Sequence, residues 1–184
     1  MPPTPALETA RLLLRPIALV DAEQIQLAFP QWEIVRHLGA TVPWPYPPDG
    51  ALSYLRDILL PAVERGEVWS WTVRLKSAPE RIIGGIDLRR KEGDHRGFWL
   101  IPELRGRGLM TEAADAATEF WFGVLKFPML RTSKAAANVA SRRVSEKQGM
   151  RMVGKDERDY ICGRLPSETW EITADEWRAL KRKG

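Results

Sequence analysis

The run Gly97-Phe-Trp-Leu-Ile-Pro-Glu-Leu-Arg-Gly-Arg-Gly-Leu-Met-Thr-Glu-Ala113 passes from strand to helix through a glycine turn. Arg96 to Ile101 has strand composition, and Pro102, which lacks an N–H, ends its pairing. Leu109 to Leu125 is rich in Ala and carries Phe120, Trp121 and Val124, which predicts a helix. A helix that follows a strand in this way presents about four unpartnered N–H groups and a partial positive charge, so a phosphate placed there is favoured. Gly106 and Gly108 remove side chains that would hold a pyrophosphate off the backbone, while Arg105 and Arg107 add forked donors. Two glycines alone also make an ordinary turn with solvated arginines. No Gly-Lys-Ser/Thr follows, as a nucleoside triphosphate loop requires, and Thr111 stands where a dinucleotide fingerprint has its third glycine.

Upstream, Val68 to Leu75 alternates, with Trp69, Trp71, Val73 and Leu75 on one face and Ser70, Thr72 and Arg74 on the other, which predicts a strand with one buried face. Arg81 to Arg89 reads as its hairpin partner, and the turn Lys91-Glu-Gly-Asp94 leads into Arg96 to Ile101, so the three form a meander. Earlier still, Leu12 to Leu14 suits a first strand, and Asp21-Ala-Glu-Gln24 has capping-box spacing for a helix to about Phe29. A continuation through Trp32 and Leu38 is closed by Gly39. Val42-Pro-Trp-Pro-Tyr-Pro-Pro48 excludes regular structure, and Ala51 to Arg65 reads as a helix kinked at Pro61 and stopped by Gly66.

Downstream come a short strand from about Leu130 to Ala136, a helix from about Asn138 to Lys147 closed by Gly149, and strands near Met150 to Cys162 and Glu168 to Ile172. Thr173-Ala-Asp-Glu176 is a second capping box, opening a last helix that ends in a solvated basic run. These elements predict one α/β domain over residues 1–184, with a short Pro-rich start at 1–8 and a basic tail at 178–184. Its sheet is mixed and mostly antiparallel, of about six to seven strands, with helices on both faces.

The 184 residues are 44% hydrophobic, enough for one core without staples. A net charge of +4 does not call for nucleic acid. Cys162 is the only cysteine, and His37 and His95 are the only histidines, which excludes a disulfide framework and a Cys/His zinc cluster, so no metal is expected. Neither a signal peptide nor a run of ~18 apolar residues is present, and a cytoplasmic protein with no membrane partner is expected.

Gly97 to Ala113 resembles the acyl-CoA loop of the GNAT N-acetyltransferases, with Arg105, Gly108 and Met110 at the family's marked places and Met110 in place of a small residue. Asn138-Val-Ala-Ser-Arg-Arg-Val-Ser-Glu-Lys-Gln-Gly-Met150 is similar to that family's Asn, Ser, Glu-Lys, Gly, aromatic pattern, with Met150 for the aromatic. Glu8-Thr-Ala-Arg-Leu-Leu-Leu-Arg-Pro16 and Trp170-Glu-Ile-Thr173 resemble the opening and closing strands of the Rim-type ribosomal-protein acetyltransferases, so the resemblance covers nearly the whole chain. It implies a GNAT fold whose sheet splays between its fourth and fifth strands, and acetyl-CoA (coenzyme A) as cosubstrate. Pantetheine would pair with the backbone of Trp99, Leu100 and Ile101, and pyrophosphate would sit on Arg105, Gly106, Arg107, Gly108, Leu109 and Met110. A backbone N–H near Leu100 would polarise the thioester. The implied reaction is direct transfer of acetyl to a primary amine, on a protein N-terminus or a small molecule, and dimers recur in the family, so a homodimer is an expectation.

Transfer to an amine needs a neutral nitrogen, a stabilised oxyanion and a proton for the departing thiolate. Many family members use a Tyr seven residues after the Asn for that proton, and Ser145 stands there instead. Rim-type members use a serine at the position of Ser141, which is the candidate acid; its other reading is a cap of the first helical turn. Asn138 reads equally as a CoA contact and as the helix N-cap. Asp87 is the candidate base, set against an exposed strand carboxylate, with Glu112 and His95 as weaker options. Trp44 and Tyr46 wall an acceptor pocket or cover the sheet edge. Cys162, placed in a strand far from the loop, gives no support to a thiol intermediate. Two rivals stand beside the enzyme: a non-catalytic acyl-CoA-binding or regulatory domain of the same fold, and a nucleic-acid module on Arg89-Arg-Lys91 and Lys181 to Lys183.

Overall fold

The computed structural model describes residues 1–182, so the last two residues of the basic tail lie outside it. A narrow hairpin, β1 (Leu7–Glu8) against β2 (Leu12–Pro16), opens the chain. The helices α1 (Ala22–Ala28), α2 (Trp32–Val35) and α3 (Gly50–Tyr54) follow, and α3 runs through a π turn at Leu55–Leu59 into α4 (Leu60–Glu64). The π turn ends two residues before Pro61, whose missing N–H and bulky ring an α-helix interior does not accommodate without a distortion of this kind. The meander is β3 (Val68–Leu75), β4 (Ala78–Arg89) and β5 (Arg96–Leu100), antiparallel throughout, with Trp71 opposite Ile86 and Ile86 opposite Phe98. Then come α5 (Leu109–Gly123), β6 (Met129–Ala135), α6 (Val139–Lys147), β7 (Arg151–Tyr160), β8 (Gly163–Thr173) and α7 (Ala174–Lys181).

The strands form two sheets, β1-β2-β3-β4-β5 and β6-β8-β7. The strand beyond the expected seven is the two-residue β1, which no alternation announces. Helix α5 covers one face of the first sheet, where Trp69 and Trp71, both buried, meet the ring of Phe120 edge-on at 6.4 and 5.6 Å. Helices α1 and α3 cover the other face over Ile82. Both faces of β3 are therefore buried, contrary to the one-faced strand expected: Ser70, Thr72 and Arg74 are each 5% exposed or less. Arg74 is tolerated there because Asp21 meets it at 2.7 Å. That pairing also overturns the capping box expected at Asp21-Gln24. Asp21 caps no turn of α1 and instead accepts from Ala18 N–H at 2.9 Å, while Gln24 reaches the backbone of Glu80 and Ile82. The second capping box forms as expected between Thr173 and Glu176. Gly39 does not close a helix, since α2 ends at Val35 and Gly39 bridges to Tyr160.

Candidate active site

Between β5 and β6, which run parallel, the two sheets meet at one point and then part. His95 N–H donates to Arg131 O at 2.7 Å, and the imidazole Nδ1 of His95 accepts from Arg131 N–H at 2.9 Å. Thr132 Oγ1 donates to Arg96 O at 3.2 Å, and Ser133 N–H reaches Asp94 at 3.3 Å. Beyond these contacts β5 and β6 form no ladder among the described residues. The expected splay is therefore a V whose apex is His95 and Arg131.

Backbone parity decides which groups line the V. Arg89 N–H bonds to His95 O and Ile101 N–H bonds to Ile83 O, so the odd-numbered residues of β5 spend their backbone groups on β4. Phe98 and Leu100 turn theirs into the V. Of the three residues expected to pair with pantetheine, Trp99 pairs with β4, Ile101 gives its N–H to Ile83 O and its carbonyl to Leu104 N–H, and Leu100, like Phe98, has its backbone groups directed away from β4. Trp99 contributes through its ring, which meets Phe29 at 5.5 Å; Phe29 in turn meets Tyr46 at 5.4 Å. Gly85 makes that placement feasible, because a Cβ there would lie 2.6 Å from the Trp99 indole nitrogen.

The glycine loop follows at the open end of β5. Gly106 and Gly108 hold φ of +77° and +76°, the left-handed region that other residues avoid, and Gly108 is the N-cap of α5. Leu109 and Met110 are buried in the core beneath the loop, so the size of Met110 leaves the phosphate side clear. Among the described residues the Arg107 side chain and the amides of Leu109, Met110 and Thr111 make no hydrogen bond, while Arg107 O accepts from Arg11. Arg105 arches over the V: its Nε donates to Leu100 O at 3.3 Å and its Nη2 to Glu33 O at 2.9 Å. Burial first, then the charges of Arg36 and Arg105, holds the His37 pKa below its usual value.

A second tie closes the open end. The β7–β8 turn donates from Ile161 and Cys162 N–H to Leu38 and Arg36 O at 3.0 and 3.1 Å, and Ala40 N–H donates to Asp159 O. Cys162 lies in this exposed turn and not in a strand.

Asn138 caps α6, its Oδ1 accepting from Ser141 N–H at 3.1 Å. Ser141 is half-buried, and among the described residues its hydroxyl makes no hydrogen bond. Asp87 projects from the β4 face opposite Ile86, paired with Arg89, which also reaches Asp94 at 3.4 Å. Tyr54 lies close enough for both charges to act on its hydroxyl, whose pKa is raised by burial and then by Asp87. Trp44 is 40% exposed and leans on Trp32 at 5.7 Å, whereas Tyr46 is half-buried against Phe29. Glu112 is consumed by structure: it accepts from Thr9 Oγ1 and from Arg11 N–H and Nε, bonds that outweigh its burial and keep its pKa low.

Two residues beside the splay went unread in the sequence. Phe98 enters by backbone parity, which side-chain alternation does not reveal. Lys134 stands on β6 in step with the buried Leu130 and Thr132, and its amine donates to Ser145 Oγ at 2.7 Å. A lysine at an inward position of an alternating strand was the available signal.

Comparison with solved structures shows the same fold over nearly the whole chain. The ribosomal-protein-S5-alanine acetyltransferase of Vibrio fischeri superposes with a TM-score of 0.79 at 18% identity, covering 94% of this chain and 98% of that one. RimL, the ribosomal L7/L12 alpha-N-protein acetyltransferase solved with coenzyme A, gives 0.78 at 14% identity, covering 94% and 99%. The microcin C7 self-immunity acetyltransferase MccE, solved with acetyl-CoA and AMP, gives 0.73 at 13%, covering 90% and 93%. No protein of curated function matches the sequence significantly. A model of the acetyltransferase (GNAT) domain matches residues 11–151, and with that match the chain belongs to the GNAT acetyltransferases, enzymes that move an acetyl group from acetyl-CoA to an amine.

Proposed function

We propose that this protein acetylates the α-amino group of a polypeptide N-terminus in the cytoplasm. The observation that carries the acceptor class is the state of Asp87. Its carboxylate is occupied by Arg89, and it stands opposite Gly97, three residues before Leu100, or about 10 Å along the strand. Direct proton transfer needs hydrogen-bond reach, so Asp87 acts only through water. An α-amino group, with a reference pKa near 8, is partly neutral at pH 7 and needs no more, whereas a lysine side chain near 10.4 does. Two of the structural relatives are named for acting on ribosomal proteins, which supports the same class.

In this reading the cleft-facing N–H of Leu100 polarises the thioester carbonyl, and the Gly106–Met110 loop with Arg105 and Arg107 holds the pyrophosphate. The Ser141 hydroxyl faces the departing sulfur, Asn138 keeps α6 in place, and Trp44 and Tyr46 wall the acceptor entrance. The nitrogen attacks directly, without an acyl-enzyme. The test is a panel of acceptors with acetyl-CoA: peptides beginning with Ala, Ser or Met, the same peptides with blocked N-termini and an internal lysine, a polyamine and an aminoglycoside. Turnover confined to free N-termini is expected. Faster turnover of the polyamine or aminoglycoside would overturn the acceptor class and leave the fold and cosubstrate intact.

A further inference from the structure

Ser141 and Ser145 of α6 lie one helical turn apart, and residues at this spacing share a face. A serine hydroxyl by itself is a poor acid, so the thiolate needs a proton source behind Ser141. Ser145 is fully buried, and its hydroxyl accepts from the Lys134 amine at 2.7 Å. Lys134 lies on β6 two residues beyond Thr132, whose bond to Arg96 O belongs to the last contacts before the strands part. Its ammonium is 5.6 Å from the Trp170 ring. The groups around it oppose one another. Arg96 of β5 repels its charge, while Asp94 before β5 and Glu168 of β8 attract it. Glu168 is itself occupied, by Arg142 of α6 at 3.1 Å and by Trp170 Nε1 at 3.0 Å.

We propose that Lys134 is the proton reservoir for acetyl transfer, recharging Ser141 through Ser145 and water. As the nitrogen–carbon bond forms and the carbon–sulfur bond breaks, the sulfur takes the Ser141 proton. Ser141 is refilled along the file from Lys134, which is left as a neutral amine. The proton shed by the attacking nitrogen goes to solvent, and Lys134 regains one when the thiol leaves and water enters. Burial first, then Arg96, brings the Lys134 pKa down to about 7, where both forms are populated at neutral pH.

The inference rests on the transferase reading of the cleft but not on the acceptor class, and its test separates the two. With whichever amine of the panel turns over, wild-type kcat is expected to decline above pH 7 as Lys134 loses its proton. Lys134→Met should lower kcat at least tenfold at pH 6.5 and leave only the rising limb of the amine. Its thermal shift with acetyl-CoA should stay unchanged. Lys134→Arg, which keeps the charge but does not release it, should not restore kcat. A second readout needs no acceptor: in protein labelled at the lysine ε-carbon, the resonance missing from Lys134→Met should titrate near neutrality and move when CoA is added. Ser145→Ala, which removes the hydrogen bond and keeps the amine, should lose kcat likewise. A Lys134→Met enzyme with kcat within twofold of wild type and the same pH profile overturns the proposal, as does a resonance indifferent to CoA.

Discussion

The imidazole Nδ1 of His95 accepts the backbone N–H of Arg131 at 2.9 Å while its ring stacks on Trp121 at 5.2 Å, so one histidine fixes the point where the two sheets separate. Protonation turns that acceptor into a donor and breaks the bond. Burial is the first cause of its lowered pKa. The folded state thus resists a proton that the unfolded chain accepts near 6.5, and the stability is intact above that pH and lost as the pH falls toward the folded value. His95→Gln keeps an acceptor and removes the titration. Its melting temperature between pH 7 and 5 should fall less steeply than that of wild type; parallel curves would refute this account.

Lys134 has the opposite reference state and the same consequence. Its pKa is brought from 10.5 to about 7, so the stability present above 10.5 is lost as the pH falls to about 7, because only the unfolded chain takes up the proton. Lys134→Met should therefore be more stable than wild type at pH 7, by an amount on the order of a few kcal/mol. Urea titration at pH 7 and pH 10 measures it, and the gain should shrink at the higher pH.

Removing one partner of the buried Asp21–Arg74 pair leaves the other charge without compensation. Asp21→Ala should cost about 3–5 kcal/mol in urea denaturation, and the double change Asp21→Leu with Arg74→Met should recover much of that loss. Equal costs for the single and double variants would show that the pair is not the cause.

Asn138 and Ser141 separate cap from chemistry. Asn138→Ala should lower stability by about 1 kcal/mol, which Asn138→Asp restores. Ser141→Ala removes a hydroxyl that makes no hydrogen bond among the described residues, so it should leave the melting temperature unchanged and reduce kcat at least tenfold. Unaltered kcat would remove Ser141 from the reaction.

Arg105 ties the loop to Leu100 and Glu33. Arg105→Ala should weaken acetyl-CoA binding about tenfold, which at saturating ligand removes ~1.4 kcal/mol of the ligand-induced stabilisation. Thermal melts with and without acetyl-CoA report it.

What the sequence made legible is what short-range periodicity encodes. The meander, the glycine loop, the Asn138 helix and the Thr173 capping box all announce themselves within a few residues, and each stands where the chain's pattern puts it. The failures are long-range. Arg74 looked solvent-facing because its partner is 53 residues away, and Asp21 looked like a cap because the carboxylate suits either role. That the backbone of Trp99 pairs with β4 and the backbone of Leu100 does not was equally out of reach, because alternation fixes side chains and leaves the direction of backbone groups to strand pairing. Lys134 went unnoticed because a lone lysine in a short strand is ordinarily a surface residue.

The V is tied at both ends, by His95 and Arg131 at its apex and by the bonds from the β7–β8 turn to residues 36–40 at its mouth. Its aperture is therefore a property of the polypeptide, set before any thioester arrives. Widening it would take the loss of main-chain hydrogen bonds at the apex or at the mouth, whereas a ligand seated between the two ties leaves both in place.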